Sequence, residues 1–212
     1  MEKSYKYLGY FLLLLIPLIF AGFYKTYFVQ FPGFEKITDY TIHIHAFIAS
    51  VWVLILIVQP FLIANKKLAW HKIVGKVSYF IFPLLVLSFL PGIIKTYNAG
   101  VYKNMFFPVA DCIVLTLFYV LAVYHKKKSS KHMRYMVTSS LMLLGPTVGR
   151  ILPNLLGFSE IATQNGQYAC IIFILSVLVF YDSKNKKKYQ PYLTAIAVFS
   201  IHQLVFYYLF LF

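Results

Sequence analysis

The stretch TIHIHAFIASVWVLILIVQPFLIA, residues 41–64, followed at once by NKKLAWHK, residues 65–72, decides the fold. Its 24 residues contain no Asp, Glu, Lys or Arg. At 1.5 Å rise per residue such a helix is about 36 Å long, more than the roughly 30 Å hydrocarbon core of a bilayer. A basic cluster at its end marks where the chain leaves the apolar phase. Six further stretches read the same way, at residues 7–28, 73–94, 105–124, 133–156, 167–181 and 191–212. The expected fold is therefore all-α, a polytopic transmembrane bundle of seven helices forming a single integral membrane domain over residues 1–212.

The basic residues are distributed unevenly between the two sets of helix ends. One set holds Lys3, Lys6, Lys66, Lys67, Lys72, Lys76, Lys126, Lys127, Lys128, Lys131, Arg134, Lys184, Lys186, Lys187 and Lys188; the other holds only Lys25, Lys36, Lys95, Lys103 and Arg150. Fifteen against five places the amino terminus in the cytoplasm and the carboxyl terminus outside. It also accounts for the net charge of +14 without nucleic acid, the expected partner being a bilayer with anionic headgroups. No small-x-small cleavage site follows the first apolar run, and Phe23, Tyr24, Tyr27 and Phe28 read as an interfacial aromatic belt, so that run is expected to be retained. Cys112 and Cys170 fall inside apolar runs and read as small hydrophobes.

Polar side chains inside spanning helices are costly, which makes them the candidate functional residues. In the second stretch His45, Trp52 and Gln59 are seven residues apart and lie in one stripe, while His43, about 200° around the axis from His45, reads as an interfacial imidazole exposed to headgroups. In the fourth, Asp111, Leu115, Phe118, Ala122 and His125 share a face. Arg150, one of only two arginines, follows Gly145, Pro146 and Gly149 and precedes Pro153, a composition that predicts a broken helix beside a cavity. Its depth matches that of Asp111, so the two are expected to pair, and His202 in the seventh stretch is a further candidate for the same outward-facing cavity. His71 and His132 each follow a Lys-Lys pair and precede a serine by seven residues (Ser78, Ser139), a pattern that relates the hairpin of helices 2 and 3 to that of helices 4 and 5.

The strings WHKIVGK at 70–76 and KHMRYM at 131–136, with Gly145-Pro146 and Arg150 after them, resemble a family of bacterial predicted membrane proteins of unknown function. That family has a His-basic-x-x-Gly string opening one helix and a His-x-x-x-Met string opening a later helix that ends in Arg. The resemblance covers residues 43–150. It implies a bundle of about seven helices in a bacterial cytoplasmic membrane and no known reaction.

Phosphate-binding glycine loops, zinc-protease and Cys-x-x-Cys motifs and nucleophile elbows are absent, and no metal site is expected. Three readings of function remain. Histidine at both faces, with His45 and His202 outside and His71, His125 and His132 inside, fits a redox protein binding b-type haem or a quinone. Arg150, Asp111, Gln59 and Trp52 around a broken helix fit a site for a small anionic ligand, as in a small transporter. An accessory or assembly protein of a larger membrane complex would leave no catalytic trace.

The charge bias is tested by single cysteines at positions 103, 128 and 212 in a background lacking Cys112 and Cys170. Positions 103 and 212 should react with an impermeant thiol reagent in intact cells, and position 128 only after permeabilisation.

Overall fold

In a computed structural model, which describes residues 2–37 and 39–211, the chain is all-helical, with seven helical segments and no strand among the described residues. Met1, Thr38 and Phe212, the last being the expected end of the seventh stretch, lie outside the described residues. The segments are α1 (Leu8–Phe23), α2 (Tyr40–Ala64), α3 (Leu68–Asn98), α4 (Phe106–Tyr124, led in by a 3-10 turn at Tyr102–Met105), α5 (in two pieces, α5a Ser129–Leu141 and α5b Leu144–Leu156), α6 (Glu160–Lys184) and α7 (Gln190–Phe210). Five of them, α2, α3, α4 with its lead-in turn, α6 and α7, are long and apolar enough to cross a membrane. The first segment is apolar but shorter, and each piece of α5 has 13 residues.

Three segments are interrupted, where the sequence reading expected one. α1 breaks between Leu8–Leu13 and Leu15–Phe23, α3 between Leu68–Leu87 and Leu90–Asn98, and α5 at Met142 and Leu143. The cause is the same each time. A proline at position i cannot donate to the carbonyl at i−4, and Pro17, Pro91 and Pro146 leave Leu13, Leu87 and Met142 without that donor. The chain tightens there into i to i−3 bonds, Leu14 N to Phe11 O, Phe89 N to Val86 O and Leu143 N to Ser140 O, each 3.2 Å. Pro60 and Pro83 are accommodated inside α2 and α3 without a break.

Two compact units divide the chain, Met1–Asn98 and Ala99–Phe212. In the N-terminal unit α2 and α3 form a hairpin along the stripe read from the sequence. His45 bonds Ser88 at 2.8 Å, Trp52 packs edge-on against Phe82 at 5.2 Å, and Gln59 Nε2 donates to the His71 carbonyl at 3.2 Å. α1 packs on α2 at Gly9, where a Cβ would come 3.0 Å from the Phe61 ring. Asp39 caps α2, accepting from the backbone N–H and the hydroxyl of Thr41, and these two bonds hold its carboxyl below the usual range.

In the C-terminal unit the most polar helix is the one most completely inside. Arg134, Thr138, Ser139 and Ser140 of α5a are all buried. The three hydroxyls donate to carbonyls one turn back, those of Arg134, Met136 and Val137. Arg134 is fully buried against Asp182 near the end of α6: Nε donates to Oδ2 at 2.6 Å and Nη2 to Oδ1 at 2.8 Å. Nη1 is taken by the carbonyl and hydroxyl of Ser130, at 3.0 and 2.5 Å. Outward faces are the reverse. Phe47, Phe80, Phe173 and Phe180 are 71%, 73%, 69% and 69% exposed. A surface of this kind requires an apolar surrounding phase, and the chain is a membrane protein.

One turn occurs twice. Phe61-Leu62-Ile63-Ala64-Asn65-Lys66-Lys67 and Tyr181-Asp182-Ser183-Lys184-Asn185-Lys186-Lys187 end α2 and α6 in the same cap. The second lysine donates to Leu62 O or Asp182 O at 2.8 Å, the first to Ile63 O or Ser183 O at 3.0 Å. Lys66 and Lys186 are left-handed, with φ of 59° and 55°. The shared turn relates helices 2 and 3 to helices 6 and 7, a different pairing from the one the His-and-Ser spacing pointed to.

Removing one member of a buried ion pair strands the other, a cost of about 3–5 kcal/mol. Arg134→Gln and Asp182→Asn should each show that loss in denaturant unfolding in detergent, and the double variant Arg134→Met with Asp182→Leu should be more stable than either.

Candidate functional site

Two polar candidates of the C-terminal unit, Asp111 and His202, meet at one point inside it, together with Tyr168. Asp111 comes from the first turns of α4, Tyr168 from α6 and His202 from the middle of α7. His202 Nδ1 and the Tyr168 hydroxyl are 2.7 Å apart, and His202 Nε2 lies 3.3 Å from Asp111 Oδ1. The second contact is close enough for ion pairing without being aligned as a hydrogen bond. Tyr168 donating to Nδ1, with the Nε2–H facing the carboxylate, is one of the arrangements of protons consistent with these distances. His202 and Tyr168 are buried, while the Asp111 side chain keeps 28% of its surface exposed. The three groups thus form a file from a half-open carboxylate, through an imidazole, to a buried phenol.

Around the file the walls are aromatic and amide. The Phe106 ring lies 4.7 Å from the His202 ring, and Phe106, Tyr168 and Phe206 form one buried cluster. α5b approaches α6 through its glycines. A Cβ on Gly145 would meet Gln167 Nε2 at 3.2 Å and Asp111 Oδ2 at 3.8 Å, and one on Gly149 would meet Gln167 Oε1 at 3.3 Å. The bare backbone at these positions is what lets the Gln167 amide lie against α5b and beside Asp111. Gln164 and Thr163, one turn earlier on α6, are buried as well.

Asp111 does not pair with Arg150. The carboxylate faces His202, and Arg150 Nη1 turns back along its own helix to the Pro146 carbonyl at 2.8 Å. Equal depth was the ground for expecting the pair, and depth says nothing about rotation around the helix axis. The Asp111 face is otherwise as read: Leu115, Phe118 and Ala122 are buried.

The remaining candidates lie elsewhere. His45, Trp52, Gln59 and His71 belong to the N-terminal unit, where the first three form the seam between α2 and α3. Ser88 donates its only proton to Leu85 O at 2.6 Å, so the His45 contact has Nδ1–H donating to Ser88. His43 is not an exposed imidazole. It is half-buried, bonded to the Tyr27 hydroxyl at 2.7 Å and packed 4.8 Å from the Phe34 ring, because the loop before α2 folds back over the helix start. In the C-terminal unit His132 Nδ1 donates to Ala122 O at 2.8 Å, and His125 stacks on Tyr135 at 5.7 Å. Desolvation, then Lys131 and Lys128, hold the His125 imidazole below its ordinary range and so neutral at pH 7. These imidazoles act as helix clamps, and nothing in their arrangement favours haem; among the described residues no three His, Cys, Asp or Glu side chains gather to hold a metal ion.

The residues that sequence reasoning missed are Tyr168, Gln164, Gln167 and the Arg134–Asp182 pair. Gln164, Gln167 and Tyr168 fall at three- and four-residue spacing on one helix face, which is the signal that was there to be used. Comparison of the chain with protein-family models, with curated proteins and with solved structures gives no match.

Proposed function

We propose that the protein spans a bacterial cytoplasmic membrane seven times, amino terminus inside, and that its C-terminal half binds a small quinone-type headgroup. The observation that carries this reading is the Asp111–His202–Tyr168 file, three titratable groups from three helices in contact inside an apolar unit. A quinone carbonyl takes a hydrogen bond when bound. An imidazole with a phenol on one nitrogen and a partly exposed carboxylate near the other is suited to supply it. The Gln167 amide adds a neutral donor, and the Phe106, Tyr168 and Phe206 rings give flat apolar walls. The seven spans and their orientation rest on the charge bias and on the resemblance of the 70–76 and 131–136 strings to the bacterial membrane family.

The test is titration of the purified full-length protein with decylubiquinone and menadione by calorimetry. Saturable binding of one of them is expected, weakened by about tenfold or more in His202→Gln and Tyr168→Phe, the loss of one hydrogen bond to a polar headgroup. No saturable binding, or equal binding by these variants, overturns the reading. A visible haem band in the purified protein that disappears in His202→Gln would replace the quinone with haem.

A further inference from the structure

A second feature of the C-terminal unit lies at the end where α4 and α6 finish and α5a and α7 begin. There the two loops enclose an open pocket of about 480 Å³, lined by Lys127, Lys128, Lys131, Lys186, Lys187 and Lys188 with Ser129 and Ser130. Six lysines line one small space. The unit has only three carboxylates, and none neutralises it: Asp111 and Glu160 sit near the opposite ends of α4 and α6, and Asp182 is buried on Arg134. Six like charges carried on the rim of one pocket repel one another, and an anion bound among them relieves that repulsion.

The orientation rule explains lysines near helix ends but not their convergence, and the N-terminal unit shows the difference. Lys66, Lys67, Lys72 and Lys76 are the same kind of residue, strung along one turn and one helix. In the C-terminal unit the two lysine loops are tied together from beneath. Ser130, on the wall of the pocket, accepts from Arg134; Arg134 donates to Asp182; and the Asp182 carbonyl accepts from the backbone N–H of Lys187, on the opposite wall. The α5a N-terminus, with Ser129 and Ser130, adds unpaired backbone donors and the positive end of a helix. Lys186 supplies its charge from a left-handed position where glycine is the ordinary choice.

We propose that this pocket is a binding site for a ligand carrying two or more phosphate charges. The volume fits a small polar headgroup or a short polyphosphate. The same chemistry is offered by an anionic phospholipid of the surrounding membrane and by a soluble phosphate compound.

The experiment uses full-length protein in nanodiscs of neutral phosphatidylcholine, with inorganic pyrophosphate as the soluble probe and cardiolipin, counted by native mass spectrometry, as the lipid probe. Saturable binding of at least one probe at one site per chain is expected; pyrophosphate binding identifies a soluble ligand, and cardiolipin binding alone a lipid. Lys128→Gln with Lys131→Gln and Lys187→Gln should weaken it by roughly a hundredfold, and Lys187→Gln alone by about fivefold. Lys66→Gln with Lys67→Gln and Lys72→Gln removes the same charge outside the pocket and should leave binding unchanged. Failure of both probes to saturate, or equal loss in the two triple variants, overturns the proposal. The single variant, at an exposed side chain, keeps the test valid if the triple variant does not fold.

Discussion

The ion pair between Arg134 and Asp182 is the constraint on which the C-terminal half of the chain is organised. Removing a guanidinium and a carboxylate from water costs several kcal/mol each, and only close, fully hydrogen-bonded geometry offsets that. Here both carboxylate oxygens and all three guanidinium nitrogens are engaged, with neither side chain reaching solvent. A planar fork is what this arrangement demands, which is why one of the two arginines among twenty basic residues stands at this position. With the pair in place, the start of α5a is fixed to the end of α6, and the lysine loops at that end are held facing one another.

The pair also sets the sense in which this protein is built. In a water-soluble bundle the apolar stripe of each helix turns inward. In this chain the fully buried set includes Arg134, Asp182, Thr138 and Ser139 beside apolar residues such as Phe118, and Phe47, Phe80, Phe173 and Phe180 face out. Hydroxyls inside α5a find their acceptors within their own helix, so the polar interior holds few unpaired groups. The Asp111–His202–Tyr168 file is a second polar element of the same unit, and there the geometry differs in kind. One of its two contacts is unaligned and its carboxylate is partly open. A closed pair clamps helices, whereas an open file has capacity left for a ligand.

Much of this was legible in the sequence, and the failures share a cause. Helix limits read from hydropathy fall within one or two residues for the second, fourth and seventh stretches, because strong apolar runs end there at prolines, lysines or aromatic residues. The stripe of His45, Trp52 and Gln59 emerged as the seam of a hairpin, since heptad spacing fixes a helix face whatever packs on it. α6 begins seven residues before its expected start at 167, because Glu160, Gln164 and Asn165 lower the local hydropathy although Ser159 caps the helix and Gln164 is buried inside the unit. In the sequence Arg134 stands among the loop lysines and Asp182 beside a helix end. Composition cannot separate a charge that faces water from one turned inward to a partner 48 residues away. The same limit explains Arg150, whose place along its helix does not fix the direction in which its side chain turns.

Solid-state NMR in lipid bilayers tests whether a buried Arg134–Asp182 pair organises the C-terminal unit. With Arg150→Lys leaving a single arginine, nitrogen-labelled arginine and carboxyl-labelled aspartate isolate the contact. The account predicts a strong dipolar coupling between the guanidinium Nε and the Asp182 carboxylate carbon, as the 2.6 Å Nε to Oδ2 distance requires. Its absence in the folded protein, with the guanidinium coupled instead to water or to lipid phosphate, would contradict the account.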